Sequence, residues 1–212
     1  MDTVPVNSSG VLTREILNLH TSPKTCALFL SLVTPLTGVV QPIAEIAEYC
    51  HEHGILLHLD VSGAIGRLYF DGRDLPIDYL SCSGEALGGP VDMGVLLSRR
   101  KTRVKPLIPT ANSMNPLRGG QLDLAKLTAM GAGARELMDE MDRSILLVAR
   151  LREVFEKRLQ GSSDGIEPLF GNLMRVAHLS TCKFRGVAAD LLLYHLVDRG
   201  IYASMGGGEV QK

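Results

Sequence analysis

His58 and Asp60 stand two residues apart in the apolar segment Ile55 to Ser62, I-L-L-H-L-D-V-S. On a strand this spacing sends both side chains to one face, and Asp60 falls near the carboxyl end, where parallel α/β sheets bind ligands. An aspartate there either caps the helix that follows or faces a ligand. Further along, Ser83 opens a glycine-rich loop, S-G-E-A-L-G-G-P-V-D-M-G, which closes at Gly94. The other histidines offer no metal site. His51 and His53 are two apart on a helix and do not face one another, while His20, His178 and His195 are isolated. Gly206 to Gly208 has the composition of a phosphate cradle, but so near the end of the sequence it reads as a flexible terminus.

The elements that must position these residues follow from the apolar pattern. Cys26 to Val33 is a continuous apolar run of the kind found in a parallel sheet covered on both faces. Before it, Leu12, Ile16, Leu17 and Leu19 give a short helical pattern after the turn Ser8 to Gly10. After the turn T-P-L-T-G, Pro42 is predicted in the first turn of a helix whose stripe is Ile43, Ile46, Ala47 and Cys50 and which Gly54 ends. Ile55 to Val61, Leu80 to Ser83 and Met93 to Ser98 are the next strands, so the class is α/β with a largely parallel sheet. Leu122 to Met141 and Ile145 to Leu159 carry helical periodicity, as one long helix or two consecutive ones. A strand at Leu173 to Ser180, a helix at Ala188 to Val197 closed by Gly200 and a last strand at Ile201 to Ser204 complete the prediction. This places a domain boundary in the long helices near Asp139, dividing the chain into 1–138 and 139–212.

A chain of 212 residues with 45% apolar content buries a substantial core. Its formal net charge of -1 gives no long-range attraction for nucleic acid or an anionic membrane. The basic run Arg99, Arg100, Lys101, Arg103 and Lys105 lacks interleaved aromatics for base stacking and reads as a solvated loop. Cys26, Cys50, Cys82 and Cys182 are far apart and read as buried thiols of a reducing compartment. No basic leader precedes an apolar core at Met1 to Asn7, and no apolar run reaches membrane-spanning length, which predicts a soluble cytoplasmic protein.

Four segments in order, Val39 to Ala47, His58 to Asp60, Ser83 to Gly94 and Arg118 to Gln121, together resemble the class V aminotransferase group of pyridoxal-phosphate proteins, and within it the cysteine desulfurases. The resemblance covers nearly the whole chain. It implies part of a fold type I large domain with a mainly parallel sheet, followed by an incomplete small α/β domain at the carboxyl end. It also implies pyridoxal phosphate as cofactor. Asp60 matches the aspartate that pairs with the protonated pyridine nitrogen, Ser83 matches a phosphate-contacting serine, and His58 accompanies them in the H-L-D segment. The family's first third, with its phosphate-binding loop and ring-stacking histidine, is expected to have no counterpart before Met1.

The departures fall on chemical groups. Ala86 stands where the family has the lysine that forms the Schiff base and moves the substrate's α-proton, and a methyl group does neither. Glu85 replaces a histidine beside the phosphate position, Gly63 a glutamine, Pro35 an asparagine and Gln121 a threonine; Glu209 stands at the sulfur-accepting cysteine. The expectation is a desulfurase-like protein with no catalytic residues of its own. The alternatives are an enzyme active only with a complementing chain, and a non-catalytic partner of a genuine desulfurase. A homodimer or a complementing chain is the expected assembly, with no nucleic acid, membrane or metal.

Overall fold

The first lobe is built from four short strands in the order β1-β2-β3-β4: β1 (Ala27–Ser31), β2 (Leu56–Asp60), β3 (Tyr79–Ser83) and β4 (Gly94–Ser98). The computed structural model describes residues 2–99, 102, 104–107 and 117–205. The first three strands are parallel, with Ser31 opposite Asp60 and Asp60 opposite Ser81; β4 returns antiparallel to β3, so that Ser83 faces Gly94. The apolar runs therefore mark a mainly parallel sheet; β1, β2 and β4 are shorter than their runs by one to three residues, and β3 begins one residue earlier, at Tyr79.

One face of this sheet is covered by α1 (Arg14–His20) and α2 (Ile43–Glu52). Leu57 and Leu59 on β2 are fully buried with Leu17, Ile46, Ala47 and Tyr49. Thr13 caps α1 by accepting from the Ile16 amide, which satisfies a donor that the first helical turn leaves free. Pro42 proves to be the N-cap of α2 and not its first helical residue. A buried amide, Gln41, pins the amino-terminal segment to this layer. Its Oε1 accepts from Leu12 N at 2.9 Å, and its Nε2 donates to Gly10 O at 2.8 Å and to Thr34 Oγ1 at 3.1 Å.

The opposite face is open. Phe29 (65% exposed), Leu56 (42%) and Leu96 (54%) project from it, and the register sets Phe29, His58 and Tyr79 side by side. Parallel sheets are normally covered on both faces, so this surface departs from the rule.

The long helical stretch is one helix, α3 (Leu124–Ser162, 39 residues), running unbroken through Asp139. Asp123 caps it, accepting from the Lys126 amide. Of its three glycines, Gly133 is placed by packing: a Cβ there would lie 2.6 Å from Leu87 O and 2.7 Å from Gly88 O, closer than any side chain tolerates. Only glycine lets the helix backbone sit on the Glu85–Leu87 turn.

Beyond α3 come a two-stranded antiparallel ribbon, β5 (Ile166–Pro168) with β6 (Cys182–Phe184), and α4 (Ala189–Val197). The expected strand at Leu173 to Ser180 is instead an irregular segment. Its apolar residues Leu173, Val176 and Leu179 recur every third position, a spacing that does not alternate between the faces of a pleat. It touches the first lobe through one bridge, Arg175 to Val39, flanked by Val176 N donating to Gly38 O at 2.9 Å. A buried Arg175–Glu156 pair (3.2 Å), with Ser180 Oγ donating to Glu156 at 2.8 Å, fastens the segment to α3. Ile201 to Ser204 is not a strand either; it is exposed and no strand runs beside it among the described residues.

The cysteines are less uniform than expected. Cys50 is buried, its thiol pushed up to about 11 by burial first and Asp78 second, but Cys26 is exposed and Cys82 and Cys182 are half-buried. All four are free thiols. Cys26 precedes β1, Cys82 lies next to the end of β3 and Cys182 opens β6, and at strand ends apolar neighbours in sequence do not guarantee burial. Of the basic run, Arg99 is no solvated charge: its Nε donates to Ile77 O at 2.7 Å and its Nη2 to Leu75 O. Arg100, Lys101 and Arg103 lie outside the described residues. Among the described residues, no helix is long and apolar enough to cross a membrane.

Candidate functional site

Asp60 is the last residue of β2, at the carboxyl edge of the three parallel strands, on the open face. Its Oδ1 accepts twice from Ser62, from the amide at 3.0 Å and from the hydroxyl at 2.6 Å, and its Oδ2 accepts from Ser31 Oγ at 3.4 Å. The carboxylate therefore caps the turn that leaves β2, in the manner of an Asx turn.

Ser83 ends β3. Its amide donates to Ser62 Oγ at 3.0 Å, and its own Oγ accepts from Ala86 N at 3.3 Å. Asp60 and Ser83 are thus brought together, with Ser62 between them. His58 shares the face of Asp60 but belongs to a different cluster. Its ring lies 5.3 Å from Phe29 and 6.4 Å from Tyr79, tilted against both.

The glycine-rich loop keeps its shape through its own backbone. Gly84 N donates to Met93 O at 2.7 Å, and Gly89 N and Leu87 N both donate to Gly84 O. Glu85–Leu87 forms a single 3-10 turn closed by Gly88 at φ 70°, a left-handed conformation that suits glycine. A Cβ on Gly84 would meet Pro90 O at 2.8 Å, so this residue too is dictated by close approach. Glu85 points to solvent and Ala86 is half-buried. Lys126 reaches the loop from α3, pairing with Asp92 at 2.7 Å, and that contact raises its pKa.

The other positions that carry departures are spread around this edge. Gly63 lies where an added Cβ would approach Val33 Cβ to 3.1 Å, Pro35 is exposed in the turn after β1, and the Gln121 carbonyl accepts from Arg118 Nη1 at 2.8 Å. Glu209, with Gly206 to Gly208, lies outside the described residues. Sequence reading missed Ser62 and Ser31. The only signal for Ser62 is its place two residues after an aspartate, where an Asx turn puts a donor; Ser31 is found only once the register of β1 against β2 is known. Cys82, between these groups, has its thiol raised by burial and then by the charge of Asp60.

The family model for aminotransferase class-V matches residues 1–210. A cysteine desulfurase of Klebsiella pneumoniae is 30% identical over 203 residues, which is 96% of this chain and 51% of that protein. A probable mitochondrial cysteine desulfurase of Dictyostelium discoideum is 31% identical over 165 residues, 77% of this chain and 36% of its own. The chain spans about half the length, or less, of these relatives. Among solved structures, the NifS-like protein of Rickettsia africae superimposes with a TM-score of 0.87 at 20% identity, over 96% of this chain and 57% of that one. With a mainly parallel sheet, the serine-glycine loop after β3 and the aspartate at the end of β2, the chain belongs to the aminotransferase class-V family and is cysteine desulfurase-like.

Proposed function

We propose that this chain is a cysteine desulfurase-like protein that has kept the family scaffold and lost the family chemistry. The observation that carries this reading is Ala86. It sits in the turn after β3 with its amide held by Ser83 Oγ, and it presents a methyl group where the resemblance calls for the cofactor-binding lysine. Pyridoxal phosphate, when bound in this family, supplies an electron sink for the substrate's α-carbon.

The residues present do not fit a covalently held cofactor. Among the described residues no buried side-chain nitrogen or oxygen lacks a hydrogen-bond partner, so the site leaves no such orphan group for a cofactor to satisfy. Lys126 reaches the loop from α3, but it pairs with Asp92 at 2.7 Å, a contact that raises its pKa and so disfavours the neutral amine. Asp60, Ser83 and His58 are read as remnants of a cofactor pocket, within a partial large domain of residues 1–138 followed by a small domain of 139–212, in a cytoplasmic protein. Mixing the purified protein with pyridoxal phosphate and reducing with borohydride tests this. The expected result is no cofactor label on any lysine peptide, and a stoichiometric label on one lysine overturns the reading.

A second reading, completion by another polypeptide, is favoured by the open sheet face. Phe29, Leu56 and Leu96 are exposed together across β1, β2 and β4, on a framework that the longer relatives share. A polypeptide bearing an apolar helix face, as a complementing chain, suits this surface. The chain alone is expected to self-associate as its concentration rises in sedimentation, and F29E/L96E to remain monomeric. A wild-type chain that stays a folded monomer counts against this reading.

A further inference from the structure

We infer that Asp60 and Ser62 now serve as positioning residues that hold the Ser83 to Gly88 turn in place of a covalent tie to a cofactor; this deepens the reading given above and rests on it. In a parallel ladder, the amide of Ser83 would bond to the carbonyl of Val61, since Val61 N already donates to Ser81 O at 2.9 Å. That carbonyl is taken: it accepts from Ala64 N at 2.9 Å and Ile65 N at 3.0 Å as the chain turns away from β2. Ser62 Oγ stands in for it, accepting from Ser83 N at 3.0 Å.

A serine hydroxyl has one proton and two lone pairs. Here the proton goes to the Asp60 carboxylate at 2.6 Å, a short charge-assisted bond that fixes the oxygen facing Ser83. Ser83 passes the constraint on, its own Oγ accepting from Ala86 N. The chain of bonds runs from Asp60 through Ser62 and Ser83 to position 86, so the backbone of the turn is anchored by serine hydroxyls and one carboxylate. Ser31 closes the other side of that carboxylate at 3.4 Å. The turn is therefore folded before any ligand arrives, and pyridoxal phosphate adds nothing to its order.

Residue-resolved amide exchange on the whole chain is the test. In S62A the Ser83 amide is expected to exchange at least about tenfold faster than in the wild type, the scale of one lost hydrogen bond. S62T, which keeps the hydroxyl, should restore slow exchange, and S81A, changed on the neighbouring rung, should leave it untouched. D60A should match S62A, and the double variant should lose little more than either, because the two residues act in series. Pyridoxal phosphate added to the wild type should leave the Ser83 and Ala86 amides unchanged. Should S62A and D60A both fail to fold while S62T and S81A fold, the anchoring role stands. Unchanged exchange in S62A overturns it, as do fully multiplicative effects of S62A and D60A, or slowing of Ser83 exchange by pyridoxal phosphate that D60A abolishes. A borohydride-fixed lysine label would sink the inactive reading without altering the exchange pattern, so the two failures are distinguishable.

Discussion

A86K alone is expected to bind pyridoxal phosphate weakly, and A86K/E85H to bind it about fivefold more tightly. The lysine supplies the amine for a covalent link, but Glu85, one residue away in the same turn, keeps a carboxylate beside the position the resemblance gives to the phosphate. Glu85 is exposed, and two like charges about 4 Å apart in water repel by about 1 kcal/mol, which corresponds to roughly fivefold in affinity. Fluorescence titration of the two variants measures the ratio, and equal affinities would refute the electrostatic account. Sulfide release from cysteine is expected at the buffer level in both variants. The resemblance puts Glu209 at the acceptor-cysteine position, and losing one essential member of a catalytic group that acts as a unit costs about a millionfold in kcat in other enzymes.

The largest stability effect is expected at Gln41. In Q41L the buried Leu12 amide and Gly10 carbonyl lose their partners, and Thr34 loses a donor. Gln41 is only 3% exposed, so water does not replace those bonds easily. Each buried group left unsatisfied costs about 1–3 kcal/mol, which sums to roughly 3–5 kcal/mol against a total stability of about 5–15 kcal/mol for a domain of ordinary size. Urea unfolding should show a markedly lower midpoint with an unchanged slope. A midpoint within experimental scatter of the wild type would mean that the amino-terminal segment is not fastened through this amide.

The strands of the first lobe were legible because each is an apolar run bounded by turn residues, and burial under α1 and α2 is what such runs encode. Direction was less legible: nothing in Gly94 to Ser98 announces that β4 runs against β3. The ribbon of β5 and β6 escaped because its strands are three residues each and one includes Pro168, too short for any periodicity to register. At the site, Asp60 and Ser83 could be singled out from their segments, but the contact between them runs through Ser62, and a contact across strands is a property of register. Gln41 likewise sits in a recognisable segment, while its partners Gly10 and Leu12 lie about thirty positions earlier and only folding brings them near. No helix directly follows β2 for Asp60 to cap; its hydrogen bonds fasten the turn at Ser62 instead.

The contact at Gly133 gives α3 the character of a strut. About 14 Å of helix lies on the amino-terminal side of that residue and about 44 Å on the other, at 1.5 Å per residue over the 39 residues. The short arm is tethered to the glycine-rich loop by Lys126 and Asp92, and the long arm carries the Arg175–Glu156 pair and the approach to β5. The segment that pairs with the long arm is itself bonded to the first lobe, Val176 N donating to Gly38 O, so both arms are braced against the same sheet. The glycine-rich turn is thereby joined through one continuous helix to the ribbon beyond it.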